Sequence, residues 1–157
     1  MNLKKLAGVT VVAVVAAFAC AAIAARADDA KSSSVVHVSS KTGKWVEGPA
    51  PGVQSIAIRG DMKKGPYAMF VKFPPAADHG WHTHTNDVSI LVLSGAYLYK
   101  DESGMEKRVG PGEYFSVPGG HKHWSGGDAT EGCVFFNEGS AMFDLNPVEA
   151  PSGGSTK

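Results

Sequence analysis

From Val53 onward, short apolar runs alternate with turns rich in Gly and Pro. No run there shows the apolar repeat of an amphipathic helix, and short strands between turn residues are typical of sandwiches and barrels, so the pattern predicts an all-β fold. Gly95, Gly112 and Gly120 are expected in turns that need positive φ. The predicted strands are Val53–Ile58, Tyr67–Phe73, Val88–Leu93, Ala96–Tyr99, Lys107–Val109, Tyr114–Val117, Cys133–Asn137 and Ala141–Leu145.

The beginning of the chain has a different pattern. A short basic start precedes an uncharged run rich in Ala and Val, and Ala25 and Ala27 occupy the small-residue positions of an A-x-A cleavage site. This order is typical of a secretory signal peptide over residues 1–27. We therefore expect cleavage after Ala27 and a periplasmic or secreted protein with no membrane contact. A retained membrane anchor and lipidation at Cys20 are the alternatives.

The rest of the chain is predicted to be a flexible lead over residues 28–40, one β-barrel domain over 41–147 and a disordered tail over 148–157. The whole chain has 15 basic and 15 acidic residues, and cleavage would remove three cations and no acid, leaving a net charge of −3. Without a basic patch, nucleic acid is not an expected partner. Cys133 would be the only remaining cysteine, so no internal disulfide is predicted, and it is either a core residue or a reactive thiol.

Five of the six histidines lie in two stretches, one with His79, His82 and His84 and the other with His121 and His123. Residues i and i+2 of a strand face the same side, so His82 and His84 can bind one ion as a pair. A third ligand must come from another strand. Strand spacing alone does not choose between His121 and His123.

Both stretches resemble the two motifs of the cupin family. The first is H-x-H, three or four residues, Glu, six residues and Gly; the second is G-x5-P-x-G-x2-H. The flanking sequence is similar to small secreted bacterial cupins of unassigned function. The resemblance implies a double-stranded β-helix, a jelly-roll barrel, with one divalent metal on His82, His84 and His123. The matching residues are His82, His84 and Gly95 in the first motif, and Gly112, Pro118, Gly120 and His123 in the second.

One position departs from the family pattern. Val88 stands where the family has Glu, and a valine cannot bind a metal. Asp87, one residue earlier, is the weaker candidate for a fourth ligand, because its side chain is one methylene shorter than Glu. His79 and Glu138 are the other substitutes. The leading hypothesis is a three-histidine site, and a cupin that has lost its metal is the alternative.

Three neutral imidazoles leave the full charge on a divalent ion, which attracts a small anionic molecule. Fe, Zn, Mn, Cu and Ni are not distinguished by this ligand set. The functional hypothesis is a metal-dependent enzyme of the oxygenase or isomerase type, most simply a dioxygenase, with His121 or Asp87 as proton acceptor. The alternative is a non-catalytic periplasmic ligand-binding or sensor module, and a homodimer is left open. The residues predicted to line the pocket are Trp81, His121, Trp124 and Glu138.

Overall fold

The computed structural model describes residues 34–48 and 50–152. The predicted signal peptide, the start of the predicted lead and the end of the predicted tail lie outside these residues, so the predictions for them stand untested. Within the described residues, no helix is long and apolar enough to cross a bilayer. All regular elements there are β-strands.

The described strands form two antiparallel sheets that face each other, which confirms the predicted jelly-roll barrel. One sheet has the order β1-β2-β3-β10-β5-β8 and the other has the order β11-β4-β9-β6-β7. Neighbours in space are therefore often distant in sequence, as jelly rolls require. The strands are β1 Val46–Glu47, β2 Gln54–Gly60, β3 Tyr67–Phe73, β4 Asp78–Thr83, β5 Val88–Gly95, β6 Tyr97–Asp101, β7 Glu106–Val109, β8 Tyr114–Val117, β9 His123–Gly127, β10 Cys133–Gly139 and β11 Asn146–Pro147.

The core lies between the sheets and follows the two-residue alternation of the strands. On β3, Met69, Val71 and Phe73 point inward, and on β10, Cys133 and Phe135 meet them. Burial raises the pKa of the Cys133 thiol to about 12. Cys133 is thus a small core residue, and its thiol is not poised to react.

The predicted strand over Ala141–Leu145 is wrong. These residues form an irregular segment, and the short strand β11 follows it. The Phe143 amide donates to the Met62 carbonyl at 2.9 Å, and its ring packs edge-on against Tyr67. Both hydroxyl and amide of Thr85 donate to the Asp144 carboxylate. These long-range contacts hold the backbone without a sheet ladder. We call residues 141–145 the covering segment.

The turn prediction for glycine is confirmed, since Gly95, Gly112 and Gly120 have φ values of 67°, 82° and 76°. Gly95 also has a close neighbour, because a Cβ there would lie 2.2 Å from the Gly132 carbonyl oxygen. At Gly104, φ is 83° and a Cβ would meet nothing within 4 Å. Gly95 therefore combines a conformational requirement with a steric one, and Gly104 has only the first.

We expect Gly95→Ala to lower the free energy of unfolding by about 2 kcal/mol more than Gly104→Ala, because only the first forces two backbones apart. Both variants share the positive-φ penalty of about 1–2 kcal/mol. Urea denaturation of the two proteins measures the difference. Equal losses would contradict the close contact at Gly95.

Candidate metal centre

Three histidines converge at one end of the sheet that contains β4 and β9. The two strands pair antiparallel with His82 opposite His123, and His84 follows directly after β4. Ring centroids of His82 and His123 are 4.3 Å apart, and those of His84 and His123 are 5.3 Å apart. All three side chains are buried, and their ligand atoms lie within 4.8 Å of one another.

Hydrogen bonds orient all three rings in the same way. His82 Nδ1 donates to the Gly80 carbonyl at 2.9 Å, and His123 Nδ1 donates to the His121 carbonyl at 2.9 Å. His84 Nδ1 donates to the carbonyl of Asp144, in the covering segment, at 2.5 Å. Because Nδ1 carries the proton, each Nε2 keeps a free lone pair. This is how metal-binding histidines are commonly held.

The protonation states also suit a metal. Burial lowers the pKa of His82 and of His123 to about 4, and burial also lowers the pKa of His84. All three rings are therefore neutral near pH 7, which is the form that binds metals. The Nε2 atom of His123 is buried and has no hydrogen-bond partner in the described part of the chain.

The spacing of the donor atoms fits one ion. Two nitrogen ligands at about 2.0–2.1 Å from an ion lie at most about 4.2 Å apart. Around a tetrahedral ion the three nitrogens would lie about 3.4 Å apart, so the ring nitrogens, which lie within 4.8 Å of one another, would move closer by up to about 1.4 Å on binding. The donor set, three neutral imidazoles, matches metals such as Zn, Fe, Cu and Ni.

Residues 33–142 match the model of the ChrR cupin-like domain family. The chain belongs to this family. The resemblance deduced from the two histidine motifs is thereby confirmed.

Comparison with individual proteins supports the same fold. A curated relative, (R)-mandelonitrile lyase of Granulicella tundricola, is 33% identical over 60 residues, which cover 38% of this cupin chain and 46% of the relative. Among solved structures, the polyketide cyclase RemF from Streptomyces resistomycificus has a TM-score of 0.62 at 19% identity, covering 76% of this chain and 89% of that one. A cupin-like protein of unknown function from Ralstonia eutropha has a TM-score of 0.58 at 21% identity, covering 71% and 76%.

The cupin barrel encloses a cavity of about 290 Å³ beside the triad, and His82 and His84 line it. No Lys, Arg, Asp or Glu occurs among the described residues that line it. Among the described residues, the lining therefore offers no charged side chain as a counter-charge to a bound molecule. The apolar part of the wall includes Met69, Val71, Phe73, Ile90, Phe135 and Phe143.

The structure does not bring Asp87 or Glu138 to the triad. Asp87 is exposed, and its carboxylate accepts a hydrogen bond from the Gly119 amide at 2.8 Å. Glu138 faces outward and pairs with Arg59 at 3.4 Å. Val88, at the position of the family Glu, lines the cavity. Among the described residues, the metal-binding group therefore has three members, and ligation by them remains a prediction.

The two tryptophans predicted for the pocket are on the wrong face. Trp81 and Trp124 pair across β4 and β9, directly beside the pair of His82 and His123. Successive strand residues face opposite sides, so the histidines point inward and the tryptophans outward. Trp124 Nε1 donates to Asp78 Oδ1 at 2.6 Å. The prediction that they line the cavity is corrected.

His121 is not in the cavity lining either. Its Nε2 is hydrogen-bonded to the Tyr99 hydroxyl at 2.8 Å and lies 3.9 Å from the Asp101 carboxylate, with 43% of the side chain exposed. The main-chain carbonyl of His121, rather than its ring, contributes to the site by accepting the proton of His123 Nδ1.

Asn137 is a cavity residue that the sequence reasoning missed. It is 3% exposed, lines the cavity, and donates from Nδ2 to the Ser89 carbonyl at 3.2 Å. The signal was present, because Cys133, Phe135 and Asn137 share one parity while Glu138 has the other. Glu138 was the more reactive residue type, but strand parity excluded it.

Proposed function

We propose that this cupin binds one divalent metal through His82, His84 and His123 and is a metal-dependent lyase for small, mostly apolar molecules that carry one oxygen donor. The observation that carries the proposal is the convergence of three buried imidazoles, two of which, His82 and His84, line an apolar cavity. A metal bound there acts as a Lewis acid towards an oxygen bound to it.

The residues of the chain hold the three imidazole rings in position and exclude water from the cavity. The carbonyls of Gly80, Asp144 and His121 hold the three rings by their Nδ1 protons, which leaves the Nε2 atoms in place for a ligand. The apolar wall excludes water and strengthens any charge interaction inside the cavity. A molecule with one anionic or strongly polar end and an apolar body matches this distribution.

The lyase class is favoured over the oxygenase class by the curated relative, whose name indicates cleavage of an aromatic cyanohydrin. In that reaction the bond to the nitrile carbon breaks and cyanide leaves with the electron pair. The hydroxyl proton goes to the cyanide, so the products are the aldehyde and hydrogen cyanide. The aromatic ring would lie against the apolar wall, and the oxygen would lie at the triad.

We expect protein purified without chelator to contain near one equivalent of divalent metal and to release benzaldehyde from (R)-mandelonitrile above the uncatalysed rate. Elemental analysis and ultraviolet absorbance measure the two quantities. Asp87→Ala, which changes an acidic residue outside the triad, should keep both properties, and His82→Ala should lose both.

Other outcomes distinguish the alternatives. Oxygen uptake by the iron form without cyanohydrin cleavage would support a dioxygenase instead. Metal and ligand binding without turnover would support the non-catalytic binding module. A wild-type protein that takes up none of the metals Fe, Zn, Mn, Cu and Ni would refute the proposed function.

A further inference from the structure

A bulge in β4 turns one further histidine into the cavity. The register of β4 against β9 shifts between Asp78 and Trp81. Gly80 lies in this bulge with φ 65°, and its amide donates to Asp78 Oδ1 at 2.8 Å. Residues three apart on a regular strand face opposite sides, but a bulge adds one residue and restores the same side. As a result, His79 and His82 both line the cavity.

The His79 ring is held at the wall but is not part of the triad. It packs on Phe73 with a centroid distance of 4.2 Å. Its Nε2 is buried and has no hydrogen-bond partner among the described residues. A buried polar atom without a partner destabilises the folded state, so such an atom in a ligand cavity points to a partner on the ligand.

We propose that His79 is a second anchoring residue for the molecule bound in this cavity. This inference rests on the proposed function, because the other end of the molecule binds the metal. The Nε2 atom of His79 forms a hydrogen bond with a second polar group on the molecule. The ligand class is therefore a small molecule with an apolar body and two separate polar groups.

A hydroxyl group is the natural partner for this nitrogen. It donates to Nε2 in one histidine tautomer and accepts from it in the other. Phe73, another residue of the cavity wall, packs against the His79 ring. A molecule that lacks the second group would leave Nε2 without a partner and would bind more weakly.

The test uses the zinc-loaded full chain with benzoate and the three isomeric hydroxybenzoates as probes, measured by calorimetry. We expect at least one isomer to bind the wild type about five- to tenfold more tightly than benzoate, the gain of about one buried hydrogen bond. In His79→Phe this preference should vanish while benzoate affinity stays. His79→Gln, which keeps a polar atom, should retain part of it, and His37→Phe, at an exposed histidine outside the cavity, should retain all of it.

Zinc content is measured on the same samples, which separates the two proposals. If zinc and benzoate bind but no isomer gains affinity, or if His79→Phe keeps the gain, the role of His79 is refuted and the proposed function stands. If the wild type binds no metal, the proposed function is refuted and the role of His79 falls with it.

Discussion

His123→Ala is expected to abolish metal binding and the thermal stabilisation that accompanies it. The variant leaves two imidazoles and removes the one that β9 supplies. Metal at a hundredfold excess over its dissociation constant stabilises the folded state by about 2.7 kcal/mol. We expect that increment in the wild type and essentially none in His123→Ala. Elemental analysis and unfolding with and without added zinc measure it.

His121→Ala is the matched control, because it removes a histidine two residues away and keeps the main-chain carbonyl that accepts from His123. It should retain the metal and the zinc-dependent stabilisation. Equal loss of metal in both variants would contradict the assignment of His123 over His121. One equivalent of metal retained in His123→Ala would exclude the triad itself.

Acidification of the metal-free protein is expected to lower its free energy of unfolding strongly. The pKa of His82 and of His123 is about 4 in the folded state, because burial disfavours the charged ring. In the unfolded chain it is about 6.5. Between these values the unfolded chain binds more protons, so stability is complete above pH 6.5 and falls as the pH falls towards 4. Each histidine contributes about 3 kcal/mol to this loss.

Urea denaturation of metal-stripped protein at several values between pH 7 and pH 4 measures the loss. The carboxylates with lowered pKa values, such as Asp128 and Asp144, lose their contribution mostly below pH 4, outside this window. His123→Asn should make the decline smaller by about 3 kcal/mol, the share of one histidine, and His37→Asn, at an exposed histidine, should leave it unchanged. A free energy of unfolding that stays constant from pH 7 to pH 5 would be incompatible with buried neutral histidines.

The covering segment contacts the site although Asp144 lies 60 residues after His84 in the chain. The carbonyl of Asp144 accepts a hydrogen bond from His84 Nδ1, and the Phe143 ring packs at an angle against the same imidazole with a centroid distance of 5.0 Å. This contact joins residues far apart in sequence. The pattern of residues 141–145 predicted a strand, because apolar residues next to a Pro stop look alike whether they pair in a sheet or close a barrel end.

What the sequence alone determined is the part that follows from local rules. The resemblance to the cupin motifs implied the jelly-roll barrel and selected His123 over His121. The strand-and-turn pattern predicted an all-β fold, and the H-x-H spacing predicted that His82 and His84 can bind one ion as a pair. These depend on two-residue alternation and on turn conformations, which neighbouring residues decide.

Only the tertiary structure decided which other residues reach the cavity. Parity counted along the chain is valid until a bulge interrupts it, and the bulge at Gly80 depends on the register between β4 and β9. That register brought His79 inward. The hydrogen bond that holds the His84 ring is accepted by the carbonyl of Asp144, 60 residues further along the chain. Such pairings arise from the packing of distant strands, and no local pattern encodes them.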